Sequence, residues 1–359
     1  MERLNRPRGL SMLKVDPERL FTTLWGGHET LPASEVEHTL RAEGYGYRVV
    51  ERLPQVIRFE ADPSCSKPLA SRLGMAREVC LELLSCRDDR EEILSHAREL
   101  ELPDWVRGES FVVRVQRVRG SSRHLRALDL EREVGGALWL RTGLKVDLWN
   151  PDLTLRGVLT GGRFLLGLVL SRVDRRALES RRVKMRPFKH PTSLHPVLAR
   201  CMVNLSEARR GEVVLDPFCG SGGIMLEAGL MGCVAVGVDV RWDMAEGCVR
   251  NLRHYGVRDF HILVGDARKT PITEADRAVT DPPYGRGATT MGIDVEELLR
   301  DALNRVSEIL KPDGIVCTAY PEPVDIVELA LDVGFRVVEK HSVYVHRSLT
   351  RGIAVLVRA

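Results

Sequence analysis

From His195 to the end of the chain, short β-branched runs alternate with helical periods so regularly that few architectures can accept the sequence. Strands are predicted at Val213 to Asp216, Val234 to Asp239, His261 to Val264, Ala278 to Asp281, Ile315 to Thr318, Phe335 to Lys340 and Ile353 to Val357. Helices are predicted at Pro196 to Ala208, Gly222 to Met231, Trp242 to Tyr255, Val295 to Leu310 and Val324 to Val333. This alternation predicts an α/β fold: a doubly wound, mostly parallel seven-stranded sheet with right-handed crossovers. In such a sheet, ligands bind outside the carboxyl ends of the strands.

Two predicted strand ends carry unusual loops. Asp216-Pro217-Phe218-Cys219-Gly220-Ser221-Gly222 follows the first strand and opens a helix. It resembles a dinucleotide fingerprint, but the third glycine would fall at 225, where Met225 stands, so pyrophosphate binding is disfavoured. What remains is a tight turn whose backbone N–H groups can cradle a carboxylate. Asp239-Val240 closes the second strand, where the aspartate can accept hydrogen bonds from both ribose hydroxyls. Gly265-Asp266-Ala267 closes the third and could read an adenine through its exocyclic amine. In this order the three describe a site for a nucleoside with an amino-acid tail, S-adenosylmethionine. Cys219 has no identifiable base partner and reads as a small apolar packing residue. His195 and His190 lie beside this loop, and His195 is a candidate cofactor contact.

The second loop, Asp281-Pro282-Pro283-Tyr284-Gly285, follows the fourth strand. An aromatic exocyclic amine is a poor nucleophile, because its lone pair is delocalised into the ring. A catalyst must hold its N–H bonds so that the lone pair meets the methyl carbon at about 3 to 3.5 Å. The Asp281 carboxylate and the Pro282 carbonyl are two acceptors suited to that task, and Pro282 and Pro283 stiffen the backbone that presents them. Tyr284 offers a ring on which a flipped base can stack. Asp281, at the mouth of the same crevice, is also a candidate cofactor contact.

The N-terminal half differs in charge. Residues 1–190 hold 34 Lys+Arg against 27 Asp+Glu, and the remainder 19 against 23. A basic half joined to an acidic one suggests a polyanion-binding part beside a chemical part. Residues 17 to 62 read as strand, helix, strand, and Pro68 to Ser85 as a second amphipathic helix, a ferredoxin-like half-sandwich order. Asp88 to Leu100 and His124 to Leu140 are predicted helices. Ser110 to Arg119 alternates apolar and basic residues as a half-buried strand does. Strands follow at Lys145 to Leu148, Leu153 to Thr160 and Arg163 to Leu170, the last two turned by Gly161-Gly162. Residues 173–192 read as a basic linker. Candidate phosphate contacts are Arg114, Arg117, Arg119, Arg123 and Arg126 on the strand side, and Arg181, Arg182, Lys184 and Lys189 in the linker. A solvated arginine-rich surface remains the alternative reading. No run reaches about 18 uncharged apolar residues, so no membrane span is expected. The first residues lack a secretory core, and a cytoplasmic protein is expected. Eight cysteines without a C-x-x-C pair read as buried thiols, with no structural metal expected. Only two glutamines among many charges fit a heat-adapted chain. His341 and His346 read as half-exposed structural residues.

The D-P-F-C-G-S-G and D-P-P-Y-G motifs resemble class I S-adenosylmethionine-dependent methyltransferases of the amino-methylating type, with a Rossmann-like sheet. Ser110 through Leu170 looks like a THUMP domain, an RNA-binding module. Together with the junction Arg186-Pro187-Phe188-Lys189-His190-Pro191-Thr192-Ser193-Leu194-His195-Pro196, the chain resembles the archaeal tRNA guanosine-10 N2-dimethyltransferases. The resemblance implies domains at 1–87 (ferredoxin-like), 88–172 (THUMP), 173–192 (linker) and 193–359 (methyltransferase). It implies that the N-terminal units dock the tRNA acceptor end, and that Asp216, Gly220, Asp239 and Asp266 serve the cofactor while Asp281, Pro282 and Tyr284 serve the base. A monomer is expected, with which a small activator subunit could associate. Guanine at tRNA position 6, a ribosomal RNA guanine and a non-catalytic RNA-binding module stay open as alternatives. Adenine N6 in DNA is disfavoured, because the chain shows no DNA-reading helix or finger motif.

Overall fold

The structure is a computed structural model and describes residues 17–284, 292–346 and 349–359, the side chains of Val345, His346 and Leu349 excepted. The chain divides into two compact units. One holds Glu43–Ser71 and Ala76–Val173 with the chain up to Ala33; the other holds Asp174–Ala359 together with Ser34–Ala42 and Arg72–Met75.

The first part of the chain runs β1 (Glu18–Leu24), α1 (Leu31–Ala42), β2 (Tyr47–Leu53), β3 (Val56–Ala61), α2 (Ser66–Arg72), β4 (Ala76–Arg87), α3 (Arg90–Glu99), β5 (Ser110–Arg117), α4 (Ala127–Thr142), β6 (Lys145–Val146), β7 (Leu153–Thr160) and β8 (Arg163–Arg172). Its strands form one eight-stranded sheet in the order β2-β3-β1-β4-β8-β7-β5-β6. Antiparallel pairing of β4 with β8 makes the sheet continuous across residue 87. The predicted helix from Pro68 to Ser85 is instead the short α2 followed by β4. Val79, Cys80 and Leu81 are consecutive and all buried. A central strand covered on both faces loses its period-2 signal, and its leucines then mimic a helical stripe. The hairpin between β7 and β8 turns at Gly161-Gly162, with φ of 56° and 77°. The helix predicted at His124 to Leu140 is α4, which stops at Gly143 in the left-handed conformation.

The second part runs α5 (Arg175–Glu179), α6 (Pro196–Leu205), β9 (Val213–Asp216), α7 (Gly223–Leu230), β10 (Val234–Asp239), α8 (Trp242–His254), β11 (Phe260–Val264), β12 (Ala275–Thr280), α9 (Val295–Ile309), β13 (Leu310–Pro321), α10 (Ile326–Asp332), β14 (Phe335–His346) and β15 (Leu349–Arg358). The seven strands lie in the order β11-β10-β9-β12-β13-β15-β14. Only β15 runs against its neighbours β13 and β14. Leu215, Val238, Ala278, Val316, Phe335 and Leu356 fill its core. The chain winds outward to β11 from β9 and then returns to β12 on the other side. The switch point therefore lies between the carboxyl ends of β9 and β12.

The region read as a basic linker is packed into this second unit. Arg181 is 7% exposed and grips Glu227 through Nε at 2.8 Å and Nη2 at 3.0 Å. Arg200 donates to the same carboxylate at 2.8 Å. Arg181 is thus an interior cation neutralising a buried glutamate, and the expectation that it meets RNA does not fit its position. Arg186 is buried too, its Nε donating to the Arg181 carbonyl at 2.9 Å. Lys184 and Lys189 are exposed, and half-buried Arg182 pairs with Glu179.

The Ser34–Ala42 segment of α1 adds a polar layer to this unit. Fully buried Glu35 accepts from Gly74 N, Met75 N and Asn204 Nδ2, each at 2.8 Å. His38 lies 3.0 Å from Glu207 and 3.2 Å from Glu339. Glu339 also meets His341, which is 8% exposed, so His341 is buried where a half-exposed residue was expected. His346 lies outside the described side chains. All eight cysteines are buried free thiols.

Candidate active site at the sheet switch point

Asp216 closes β9 with its side chain 1% exposed. Its Oδ1 accepts from Phe218 N at 3.0 Å, which shapes the Pro217-Phe218 turn, and from Thr280 Oγ1 at 2.8 Å. Burial, reinforced by nearby Asp281 and Asp239, pushes this carboxyl up to about 7 against those two bonds. Thr280 is the last residue of β12 and immediately precedes Asp281. One hydrogen bond thus ties the glycine loop to the proline loop across the switch point.

The loop then crosses β10. Cys219 N donates to Val238 O at 2.9 Å, and Gly220 N to Asp239 Oδ2 at 2.9 Å. A side chain at Gly237 would sit 2.8 Å from Cys219 Cβ, so only glycine lets the loop lie this close. Gly222 has φ of 83°, and a Cβ there would stand 2.5 Å from Cys248 Sγ. Both glycines make room for a cysteine side chain packed against their backbone. A hydrogen bond of its thiol with Cys248, together with burial, pushes Cys219 well up, consistent with a packing role.

Sequence reasoning missed the frame behind this loop. Asn251 Nδ2 donates to Ser221 O at 2.9 Å and to Phe188 O at 3.1 Å, while its Oδ1 accepts from Phe188 N at 2.9 Å. Ser193 Oγ meets Ser221 Oγ at 2.5 Å. The 186–195 segment thus anchors the glycine loop through Ser193 and Asn251. His195 instead caps α6, its Nδ1 accepting from Val197 N at 3.3 Å. Burial holds its imidazole below the usual range.

The arrangement fits the expected cofactor. α7 has Gly222 at its N-cap and no side-chain cap, leaving backbone N–H groups for a carboxylate. Asp239 Oδ1 accepts from Arg241 N at 2.9 Å, which fixes its carboxylate at the strand end where ribose hydroxyls would meet it. Burial raises its carboxyl from the usual value. Val240 beside it is 42% exposed and offers an apolar rim. At the end of β11, Asp266 caps a short turn starting at buried Ala267. Arg268 clasps its carboxylate at 2.7 Å and holds it below the usual range. That pairing occupies the group expected to read an adenine.

Across the switch point, Pro282 is buried and Pro283 half-buried. Tyr284 donates its hydroxyl to Asp281 Oδ1. Arg351 of β15 completes the cluster: Nη2 lies 3.3 Å from Asp281 Oδ2, and Nε donates to the Tyr284 hydroxyl at 2.9 Å. Its guanidinium carbon stands 5.3 Å from the Tyr284 ring centroid. Burial raises the Asp281 carboxyl, and Arg351 and Tyr284 pull it back. Gly285 lies outside the described residues. No local pattern in the sequence points to Arg351, which comes from a strand far downstream.

Among the RNA candidates, Arg117, Arg119, Arg123 and Arg126 are exposed and Arg114 is half-buried. Arg114 donates to Leu148 O at 2.9 Å and Arg117 to Leu125 O. Arg119 reaches Gly26 O at 3.2 Å, and Arg126 lies 3.7 Å from Asp129.

A glycine loop after the first strand of such a sheet, faced by an acidic-proline loop after the fourth, defines a class I S-adenosylmethionine-dependent methyltransferase. Residues 183–353 match the RMKL-like methyltransferase domain, and residues 87–169 match the THUMP domain. Among solved structures, TrmN from Thermus thermophilus shares the fold with a TM-score of 0.56 at 24% identity, covering 95% of this chain and 100% of that one. SMU.472 in complex with SAH aligns with a TM-score of 0.53 at 16% identity, covering 96% and 99%. The chain is 40% identical over 333 residues to the tRNA (guanine(10)-N2)-dimethyltransferase of Methanothermobacter thermautotrophicus, covering 92% of this chain and 97% of that protein. The Methanocaldococcus jannaschii protein of the same name is 32% identical, with coverage of 92% and 97%. The tRNA (guanine(6)-N2)-methyltransferase of Thermus thermophilus is 34% identical, with coverage of 73% and 78%. The chain belongs to the THUMP-containing tRNA guanine-N2-methyltransferase family of archaeal guanosine-10 type.

Proposed function

We propose that the protein methylates the exocyclic N2 of guanosine 10 in tRNA, giving the monomethyl and then the dimethyl product. The observation that carries this reading is the switch-point geometry. Asp281 follows β12 directly, and Thr280 ties that strand end to Asp216 of the cofactor loop at 2.8 Å. A base amine held by Asp281 would therefore lie beside the cofactor crevice. Bound S-adenosylmethionine supplies an electrophilic methyl on a sulfonium. Asp281 and the Pro282 carbonyl accept the amine N–H bonds and direct the lone pair, and the Asp281 carboxylate is placed to take the proton that N2 gives up on gaining the methyl. The ring of Tyr284 stacks the extruded base, a contact worth about 1 to 3 kcal/mol. The basic strand side, through Arg117, Arg119, Arg123 and Arg126, docks the acceptor end by phosphate contacts.

Position 10 is favoured over position 6 because the Methanothermobacter and Methanocaldococcus relatives named for position 10 align over 97% of their own length, against 78% for the Thermus relative named for position 6. The test is methylation of an unmodified tRNA transcript with labelled cofactor, followed by nucleoside mapping. Methyl groups on N2 of guanosine 10 are expected. Label at position 6 would favour the second reading, and label only in DNA would overturn both. Asp281→Ala is expected to lower the rate at least about a hundredfold, as loss of an orienting group does, with cofactor affinity near wild type. Loss of cofactor binding without a separate rate defect would contradict the role given to Asp281.

A further inference from the structure

Asp281 and Tyr284 do not stand alone, and the third member of their cluster has no role in the chemistry described above. Arg351 enters from β15, paired there with Pro321 of β13 and Val343 of β14. It is 12% exposed at the side chain, and Asp281 is 13% exposed. A guanidinium this enclosed, with one nitrogen on a carboxylate and another on a phenol, is held as a rigid fork. We propose that Arg351 is a positioning residue for the methyl transfer: it keeps Asp281 an acceptor for the amine and biases which face of Tyr284 the base uses.

Two consequences of the geometry support this, and both rest on the proposed role of Asp281. The Tyr284 hydroxyl takes one carboxylate oxygen and the guanidinium takes the other. If the amine is to be held, the acid must be ionised, and each oxygen then keeps a lone pair for the amine N–H beside the partner it already has. The arginine can keep the carboxylate charged while the tyrosine hydroxyl turns, because Nε holds the hydroxyl separately at 2.9 Å. The guanidinium also stands over one side of the Tyr284 ring, 5.3 Å from its centroid, and so biases a stacking base toward the opposite face.

Among the described residues, the titratable groups facing Asp281 are Arg351 from β15, Tyr284 from its own loop and Asp216 from β9. Arg351 alone among them carries positive charge. Without it, burial favours the protonated acid. An opposite charge at this distance lowers a carboxyl by roughly 1 to 3 pH units. Its removal is therefore expected to move the acid limb of activity to higher pH.

The experiment measures single-turnover methylation of the tRNA transcript from pH 5 to 9 for wild type, Arg351→Gln and Arg351→Lys, with cofactor affinity measured on each. Arg351→Gln is expected to lose at least about tenfold in rate at neutral pH, to keep cofactor affinity within about twofold, and to show an acid limb displaced upward by about one unit or more. Arg351→Lys restores the charge and is expected to return the limb to the wild-type position, even if the rate recovers only in part. A slower Arg351→Gln enzyme whose limb stays in place would mark a merely structural residue and overturn the proposal, as would a lysine variant whose limb follows the glutamine variant. A wild-type enzyme that methylates no tRNA would instead fail the functional reading itself, a result separable from either of these.

Discussion

The residues that carry the proposed chemistry differ in how openly they announce themselves. Asp281 stands next to a diproline and an aromatic ring, and Asp216 opens a glycine loop, so local spacing alone makes both visible. Arg351 does not appear that way, since its partners Asp281 and Tyr284 are joined to it by strand order rather than by sequence distance. His38 shows the same limit. It looks like an ordinary helical histidine, yet it sits between Glu207 and Glu339. Burial pulls its imidazole down, but the two carboxylates outweigh that effect and raise it above the usual value. A raised histidine contributes stability that is fully present below its unfolded value of about 6.5 and is lost as the pH rises through its folded value. The melting-temperature gap between wild type and His38→Gln is therefore expected to be widest near pH 6 and to shrink by pH 9. A gap that grows with pH would contradict the charged pairing.

At the level of elements, helices with clear stops and strands rich in β-branched residues were legible, and the leucine-rich β4 was not. α4 and its Gly143 stop follow from helical spacing and a left-handed cap. β4 was misread because both of its faces are buried, which removes the alternation that marks a strand. α1 was foreseen as a helix, but not its destination. Its Glu35 carboxylate supplies the acceptors for two backbone N–H groups and the Asn204 amide. Glu35→Ala would leave those buried donors unpaired and is expected to destabilise the protein by about 3 kcal/mol or more, measured by denaturant unfolding. A change below about 1 kcal/mol would mean that the donors find other partners.

For the whole molecule, the sequence suggests a cut between an N-terminal RNA-binding half and a catalytic half near residue 172. The compact catalytic unit does not respect that cut, because it includes Ser34–Ala42 and Arg72–Met75. A fragment beginning at Asp174 would lack Glu35, which holds Asn204, and His38, which meets Glu207 and Glu339. It is expected to melt at least about 5 °C below the intact protein, a shift corresponding to roughly 2 kcal/mol for a unit of this size. An unchanged melting temperature would show that the two inserted segments are dispensable.

By itself, the sequence determined the alternating α/β sheet, the glycine and proline loops at its strand ends, and the basic character of the N-terminal half. These depend on local periodicity, turn chemistry and charge, all of which act over a few neighbouring residues. Only the tertiary structure decided that the basic linker turns Arg181 and Arg186 inward, that α1 joins the catalytic unit, and that Arg351 meets Asp281. Each of those is a pairing of a buried charge or polar group with a partner distant in the chain. Which partner it finds depends on strand order and packing, and no local pattern records either.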